Sequence, residues 1–427
     1  MKLSIFSPFH KPHLAFIDDA YQSLLAQTYH NWEWVIVPNN GASIPEHIAA
    51  DSKVFVYPNS DVGNNIGALK NFACSKCRGD VLIEFDGDDI LLPDALYHIA
   101  EAFRDPIEFA YSNDAEFRDK TWEPVMFGTG YGWEYRDFEY EGHELKEIVA
   151  WEPSAQMMRM IFWAPDHFRA WRREAYWELG GHDKNIPVGD DHDLLCRTYI
   201  KYGAAAMKHI DKCLYLYRVH DNNSCRVFNA DIQKATMDNY LRYSRQLMIR
   251  WADDNNLAKV DIGGRFNGWD NFTTVDLLDA DILCDLNGKW ALEDNSVGVL
   301  RASHILEHLK DPVHSMNEAY RVLAPGGFLL AEVPSTDGRG AFQDPTHVSF
   351  WNENSFWYYT RNSHARFIKP QYKGAFQESR IVTYFPDDFF KQNNIPVVQA
   401  DLIALKAPYT DRPVGRVLID DNTLYKK

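Results

Sequence analysis

The sequence predicts an α/β protein of two successive units, and three observations carry that expectation. Short apolar runs alternate with helical patterns over residues 1 to about 110, and a second alternating unit opens at Lys259-Val260-Asp261-Ile262-Gly263-Gly264. A helical stretch, 231–253, lies between them. Two domains are therefore expected within the 427 residues, 1–250 and 258–427, with the boundary near 250–258.

In order along the first unit, the apolar start at 3–6 reads as a strand and 14–28 as a helix. Strands at 34–37 and 53–57 follow, then a helix at 66–77, a fourth strand at 81–85 and a helix at 95–103. Such alternation predicts a mainly parallel sheet with helices on its faces and ligand sites at the carboxyl ends of its strands. Beyond it, 122–177 is rich in tryptophan (Trp122, Trp133, Trp151, Trp163, Trp171, Trp177). Core packing is expected for most of these side chains, with one or two lining an acceptor cleft.

The net charge of -17, from 61 acidic and 44 basic residues, argues against nucleic acid as a partner, while leaving room for a local basic pocket around one diphosphate. No apolar run reaches the roughly 18 residues of a membrane span, and the start Met-Lys-Leu-Ser-Ile-Phe-Ser-Pro lacks a signal peptide's apolar region, so a soluble, cytoplasmic protein is expected. Of six cysteines only Cys74 and Cys77 are close together. Without a second pair, a helix surface is the expected setting for them, ahead of a zinc or redox site.

Asp86-Gly87-Asp88-Asp89 follows the apolar run Val81-Leu82-Ile83-Glu84-Phe85, so carboxylates project from a strand end. Two readings compete. Hard oxygen ligands on a rigid terminus suit Mn²⁺ or Mg²⁺ with positions left for phosphate oxygens, whereas the tetrad could equally be a polar turn between strand and helix.

Three further pieces accompany the tetrad: Ser4-Ile5-Phe6-Ser7-Pro8-Phe9; Leu179-Gly180-Gly181-His182-Asp183 with Val188-Gly189-Asp190-Asp191-His192-Asp193; and Tyr217-Arg218-Val219-His220 leading into Asn223-Ser224. In order and spacing they resemble family 2 glycosyltransferases of the GT-A fold, over roughly residues 1–245. The resemblance implies that Asp86, Asp88 and Asp89 form the metal and nucleotide-sugar motif, with Ser7 and Pro8 beside it and Asp88 the direct metal contact. His220 would be a further ligand, its alternative being a histidine hydrogen-bonded at a strand end. Asp191 matches the catalytic base, with Asp190 in place of the more usual Glu. One displacement at the anomeric carbon would then invert it, and the neighbouring carboxylate would tend to raise the pKa of Asp191. An acidic helix start complementing the helix dipole is the compatible plain reading.

The chain departs from the family pattern at Asn39-Asn40, where an acidic pair normally contacts the nucleobase. Asn donates as well as accepts, so the base is open: a UDP-sugar is the commonest donor in the family, and deoxythymidine or guanosine diphosphate sugars are alternatives. Lys70 stands where the family often has Arg and would approach the diphosphate or be a solvated helix lysine. The acceptor would be a glycan or other hydroxyl compound.

Val260-Asp261-Ile262-Gly263-Gly264, Thr274-Val275-Asp276, Asp281-Ile282-Leu283-Cys284-Asp285, Ser303-His304-Ile305-Leu306-Glu307-His308 and Leu323-Ala324-Pro325-Gly326-Gly327 resemble, as an ordered set, small Rossmann-like class I S-adenosylmethionine-dependent methyltransferases over roughly 258–405. The resemblance implies S-adenosylmethionine at Gly263, Gly264 and Ser303, with Asp276 on the ribose and Asp285 near the adenine. The usual Gly-x-Gly is reduced here to Gly263-Gly264 followed by Arg265 and Phe266, so an inactive retained fold competes with methyl transfer. His304-Ile305-Leu306-Glu307-His308 also fits an HxxEH zinc-peptidase pattern, which the surrounding motifs disfavour. Gln343-Asp344-Pro345-Thr346-His347 reads as a loop over the cleft or a structural turn. Together these readings predict a metal-dependent, inverting glycosyltransferase with an attached methyltransferase-like domain. The alternatives are a chain acting chiefly as a methyltransferase, or a nonenzymatic glycan-binding scaffold.

Overall fold

The computed structural model describes residues 1–59, 62–128, 133–159 and 167–407; Trp163 lies outside them. The chain divides into two compact units, one ending at Leu247 and the other starting at Met248, within the helix Asn229–Asp254. Among the described residues no helix is long and apolar enough to cross a membrane.

The first unit is a mixed sheet with strands β1 (Leu3–Phe9), β2 (Trp32–Pro38), β3 (Val54–Val56), β4 (Val81–Glu84), β5 (Ile90–Leu91), β6 (Phe109–Arg118), β7 (Tyr135–Tyr140), β8 (His143–Ile148), β9 (Ala170–Arg172) and β10 (Met207–Val219). Its order is β3-β2-β1-β4-β9-β6-β10-β5, with β8 on β6 and β7 on β8. β3, β2, β1 and β4 run parallel, as the alternating pattern predicts. Every residue of β1 is buried, which requires cover on both faces of the sheet. Strand order reverses direction between β1 and β4, and the carboxyl ends there open the crevice in which α/β sheets place ligands.

Several elements differ from expectation. The stretch 14–28 divides into a 3-10 turn, Lys11–Ala15, and a helix, Ile17–Leu25, that buries Ile17, Ala20, Tyr21 and Leu24. The tetrad leads first into β5, which pairs antiparallel with β10, and only then into the helix Ala95–Ala102. The helix Ile66–Lys76, whose N-terminus is capped by the Asn65 side chain accepting from the Ala68 N–H at 3.2 Å, buries Cys74 beneath it. Cys77 is buried too, so the surface setting expected for this pair is replaced by two free, packed thiols, Cys77 having its pKa pushed up to about 12 by desolvation. Trp133, Trp151 and Trp171 are core, whereas Trp177 is 38% exposed.

The second unit is a sheet of β11 (Ala258–Ile262), β12 (Thr273–Asp276), β13 (Ile282–Leu283), β14 (Val297–Ser303), β15 (Leu323–Pro334), β16 (Phe376–Tyr384) and β17 (Val397–Ala404). Its order is β13-β12-β11-β14-β15-β17-β16, parallel up to β15 and antiparallel beyond. Here the reversal falls between β11 and β14. The core gathers Val260, Ile262, Leu300, Ala302, Met316 and Leu329.

Candidate active site

The tetrad turns its three carboxylates to three different tasks. Asp89 points into the protein: Oδ2 accepts from the Tyr215 hydroxyl at 2.5 Å and Oδ1 from the Arg218 N–H at 2.7 Å, which fastens the tetrad to β10. Burial, then the charges of Asp88 and Asp86, push its pKa well up. Asp88 faces His220, whose Nε2 lies 2.9 Å from Oδ2, and His13, whose Nε2 lies 3.5 Å from the same oxygen. Burial alone would raise the Asp88 pKa, but the His220 hydrogen bond and the His13 charge outweigh it and hold the carboxyl low. Asp86 is half-buried and raised by desolvation and by Asp88. It does not converge with the other two expected ligands: Asp86, Asp88 and His220 do not bring three donor atoms within 4.8 Å of one another. Gly87 is required by space, since a Cβ there would lie 2.2 Å from the Phe9 ring.

Ser7 is committed to the core. Its hydroxyl donates to the Phe85 carbonyl at 2.5 Å and accepts from the Trp34 indole N–H at 2.8 Å, so it ties β1 to β4 and β2. Pro8 is buried in β1 opposite Val37. Asn39 is 4% exposed; its Oδ1 accepts from Asn59 at 3.0 Å, and its Nδ2 is buried with no hydrogen-bond partner. Asn40 is exposed in a left-handed conformation, φ 51°, with Nδ2 3.0 Å from His10 Nδ1.

Lys70 is neither solvated nor free to reach outward. Its ammonium lies 2.6 Å from Glu84 and 3.3 Å from Asp190, and the side chain is 8% exposed. Arg169 completes the cluster, with Nε 3.2 Å from Glu84 and Nη1 3.2 Å from Asp191, and His182 sits fully buried 3.7 Å from Asp190. Desolvation, reinforced by Lys70, lowers His182 to about 3, so it is neutral. Two cations therefore face three carboxylates, and one carboxylate must take up the imbalance. Burial places it on Asp190, whose pKa is pushed up to about 7 although Lys70 opposes the rise. Asp191 goes the other way: burial would raise it, but Arg169 and Lys70 outweigh burial and hold it down. The raised pKa expected for Asp191 thus falls on its neighbour, because Arg169 reaches only one of the pair. The Asp191 side chain keeps 20% exposure, whereas Asp190 has 4%. Both open the helix Asp190–Tyr202, whose preceding Gly189 has φ +75°.

In the second unit, Gly263 follows β11 with φ +74°, and a Cβ there would lie 2.6 Å from Ile305. Gly264 packs on Asp261, whose buried carboxylate accepts from Arg301 at 2.6 Å and from the Trp269 N–H at 3.1 Å. Asp276 ends β12, half-buried, with Oδ1 accepting from the Leu277 N–H at 2.6 Å. Asp285 is exposed, its Oδ1 accepting from the Asn287 N–H and side-chain amide. Ser303 ends β14 and is buried. Arg265 leaves the loop to pair with Asp279 at 2.6 Å, and Phe266 is 87% exposed. The glycine loop, an acid at the end of the neighbouring strand and the strand reversal fit an S-adenosylmethionine cradle; Asp285 alone has no burial that would fix it toward an adenine.

Residues 4–179 match the family model described as glycosyl transferase family 2, and 254–331 match a methyltransferase domain model. The first unit thus carries a family 2 glycosyl transferase match over residues 4–179. Among curated proteins, the chain is 25% identical over 221 residues to the O-antigen biosynthesis protein RfbC of Myxococcus xanthus, covering 50% of this chain and 15% of that protein. It is 27% identical over 222 residues to chondroitin synthase of Escherichia coli, covering 50% and 28%. For the O-antigen biosynthesis glycosyltransferase WbnJ of Escherichia coli the identity is 22%, covering 49% and 76%. The chain thus spans less than a third of the length of the first two relatives. A solved structure of S. aureus TarS 1-349 in complex with UDP is similar at TM-score 0.42 and 14% identity, covering 60% of this chain and 71% of that one.

Within the first unit, sequence reading passed over Glu84, Arg169, His182, His10 and His13. Glu84 stands within the apolar run 81–85, and a buried acid in a strand end is itself the signal that a cation waits for it. Arg169 is 85 residues from Glu84, with no local pattern to announce it. His10 and His13 follow β1 directly, at the carboxyl end of a central strand where sites are expected, and that position could have found them.

Proposed function

We propose that the first unit transfers a sugar from a nucleotide-sugar donor to a hydroxyl acceptor in a metal-dependent, inverting displacement. The observation that carries the reading is the Asp88–His220 pair at 2.9 Å, on the carboxyl side of the strand reversal, with the partly exposed Asp191 carboxylate as a separate acid of the same unit. One buried carboxylate and one imidazole fit Mn²⁺ or Mg²⁺, which commonly takes one or two carboxylates and completes its shell with phosphate oxygens. Asp88 and His220 would hold the ion, which when bound supplies charge neutralisation for the departing nucleoside diphosphate.

Asp191 is the base because of access, not basicity. It is ionised at neutral pH, whereas Asp190 is closer to its titration point but buried against Lys70 and His182. The Asp191 Oδ2 would take the proton of the acceptor hydroxyl as oxygen attacks the anomeric carbon, and Arg169 keeps that oxygen oriented. Asn39 offers a buried N–H₂ group without a partner while its Oδ1 is occupied, so it favours a carbonyl oxygen of the nucleobase over a ring N–H. A UDP-sugar satisfies that preference, and a glycan is the acceptor class in view. The test is sugar release or transfer from UDP-sugars with and without Mn²⁺, which Asp88→Ala and Asp191→Asn should each reduce by at least about 100-fold; undiminished turnover in both variants overturns the assignment.

For the second unit, the left-handed Gly263 and its contact with Ile305 favour methyl transfer from S-adenosylmethionine to the same class of acceptor. Calorimetric binding of S-adenosylmethionine that is lost in Gly263→Val supports this; absence of binding to the intact chain refutes it.

A further inference from the structure

Among residues assigned to neither site, Glu307, His308 and His347 each offer a ligand atom within 4.8 Å of the other two, the one such group among the described residues. The three come from two pieces of chain: Glu307 and His308 from the 3-10 turn Leu306–His308 after β14, and His347 from the segment following the helix Gly340–Gln343. The HxxEH spacing noticed in the sequence does not produce this group. His304 is not one helical turn below His308 but sits at φ 53°, between Glu307 at 3.4 Å and Glu332 at 3.3 Å. A histidine from elsewhere replaces it.

Each imidazole is already oriented as a ligand would be. His347 Nδ1 lies 2.9 Å from the Ala341 carbonyl, and His308 Nδ1 lies 3.3 Å from the Thr346 carbonyl and 3.1 Å from its hydroxyl. Donation from Nδ1 to a carbonyl leaves Nε2 as the unprotonated nitrogen of each ring, which is the arrangement that fixes tautomer and orientation around metal-bound histidines. The Asp344 carboxylate lies 3.9 Å from His347 Nε2, beyond hydrogen-bond length. Glu307 supplies the independent observation. It is 2% exposed; Oε1 faces His304 Nδ1 at 3.4 Å, while Oε2 is buried with no hydrogen-bond partner, a costly state for that second oxygen. The two elements are also held in register, since the Val348 and Ser349 N–H groups both donate to the Glu307 carbonyl, at 2.8 and 3.0 Å.

We propose that Glu307, His308 and His347 bind a divalent transition-metal ion of the Zn²⁺ class. Two imidazole nitrogens and one carboxylate suit that class, and three protein ligands leave a position open for water or an acceptor hydroxyl. The ion would join the turn after β14 to the 341–349 segment of the second unit.

The test uses the full chain, chelated and then titrated with Zn²⁺ by calorimetry and with Co²⁺ by visible absorption. The wild type and Asp88→Ala should both bind an equivalent that the double variant His308→Gln/His347→Gln lacks, with at least about a 100-fold loss of affinity. Native thermal unfolding of the metal-free double variant shows that the loss is local. In the wild type itself, Zn²⁺ should protect His308 from diethyl pyrocarbonate, mapped by peptide mass. Equal modification with and without Zn²⁺, or unchanged Zn²⁺ binding by the double variant, overturns the site.

Discussion

Asp190→Asn should change the pH dependence of stability in a direction that follows from the buried cluster. In the folded chain the Asp190 pKa is pushed up to about 7 by burial, against an ordinary 3.8. A carboxyl raised on folding contributes stability that is complete below its unfolded value and lost as pH rises through the folded one. Between pH 5 and pH 8, about two pH units lie below a folded value near 7, so at about 1.4 kcal/mol each the wild type should lose about 3 kcal/mol through this group. The substituted amide cannot titrate and keeps a carbonyl oxygen for Lys70. The variant should therefore gain about 3 kcal/mol on the wild type between pH 5 and pH 8, whatever their difference at pH 5. Guanidinium unfolding at both pH values reads this directly, on the transition that Lys70→Met also displaces, which assigns it to the first unit. A difference between variant and wild type that is the same at both pH values would refute the charge-imbalance argument.

Four further outcomes follow from particular contacts. Ser7→Ala leaves the Trp34 indole and the Phe85 carbonyl unpaired and should cost about 1–3 kcal/mol in thermal or urea unfolding while donor KM stays put, because the hydroxyl is structural. Gly87→Ala must displace the Phe9 ring and should lower both melting temperature and activity, with Gly288→Ala as the control, since its added Cβ would meet only the Asp285 carbonyl oxygen at an ordinary 3.5 Å. Arg169→Gln removes the largest influence holding Asp191 down, so the acidic limb of the kcat/KM profile should move to higher pH; an unmoved limb would remove Asp191 from the role of base. Asn39→Asp deletes the unpartnered donor and should raise donor KM about tenfold with little change in kcat, measured by initial rates over donor concentration.

The parallel strands of both units were legible because they are short apolar runs bounded by helical patterns, and the tetrad because its acids directly follow one of them. What sequence could not give is the direction in which each acid faces. Asp86, Asp88 and Asp89 are equivalent in a linear motif, yet Asp89 is consumed by Tyr215 and Arg218, which lie on β10, 126 and 129 residues away. Lys70 looked like a choice between solvent and diphosphate, and the third outcome, a buried ion pair with Glu84 and Asp190, needed β4 and a later helix to be brought together. The same limit explains the second unit, where a local HxxEH pattern offered His304 but the fold supplied His347.

The most direct measurement of the central claim is calorimetric titration of the chain with UDP, in the presence and absence of Mn²⁺, for the wild type, Asp88→Ala and His220→Ala. The account predicts UDP binding that strengthens at least about tenfold with Mn²⁺ in the wild type and shows no such gain in either variant. UDP affinity indifferent to Mn²⁺ in the wild type, or a full Mn²⁺ gain retained by both variants, would contradict it.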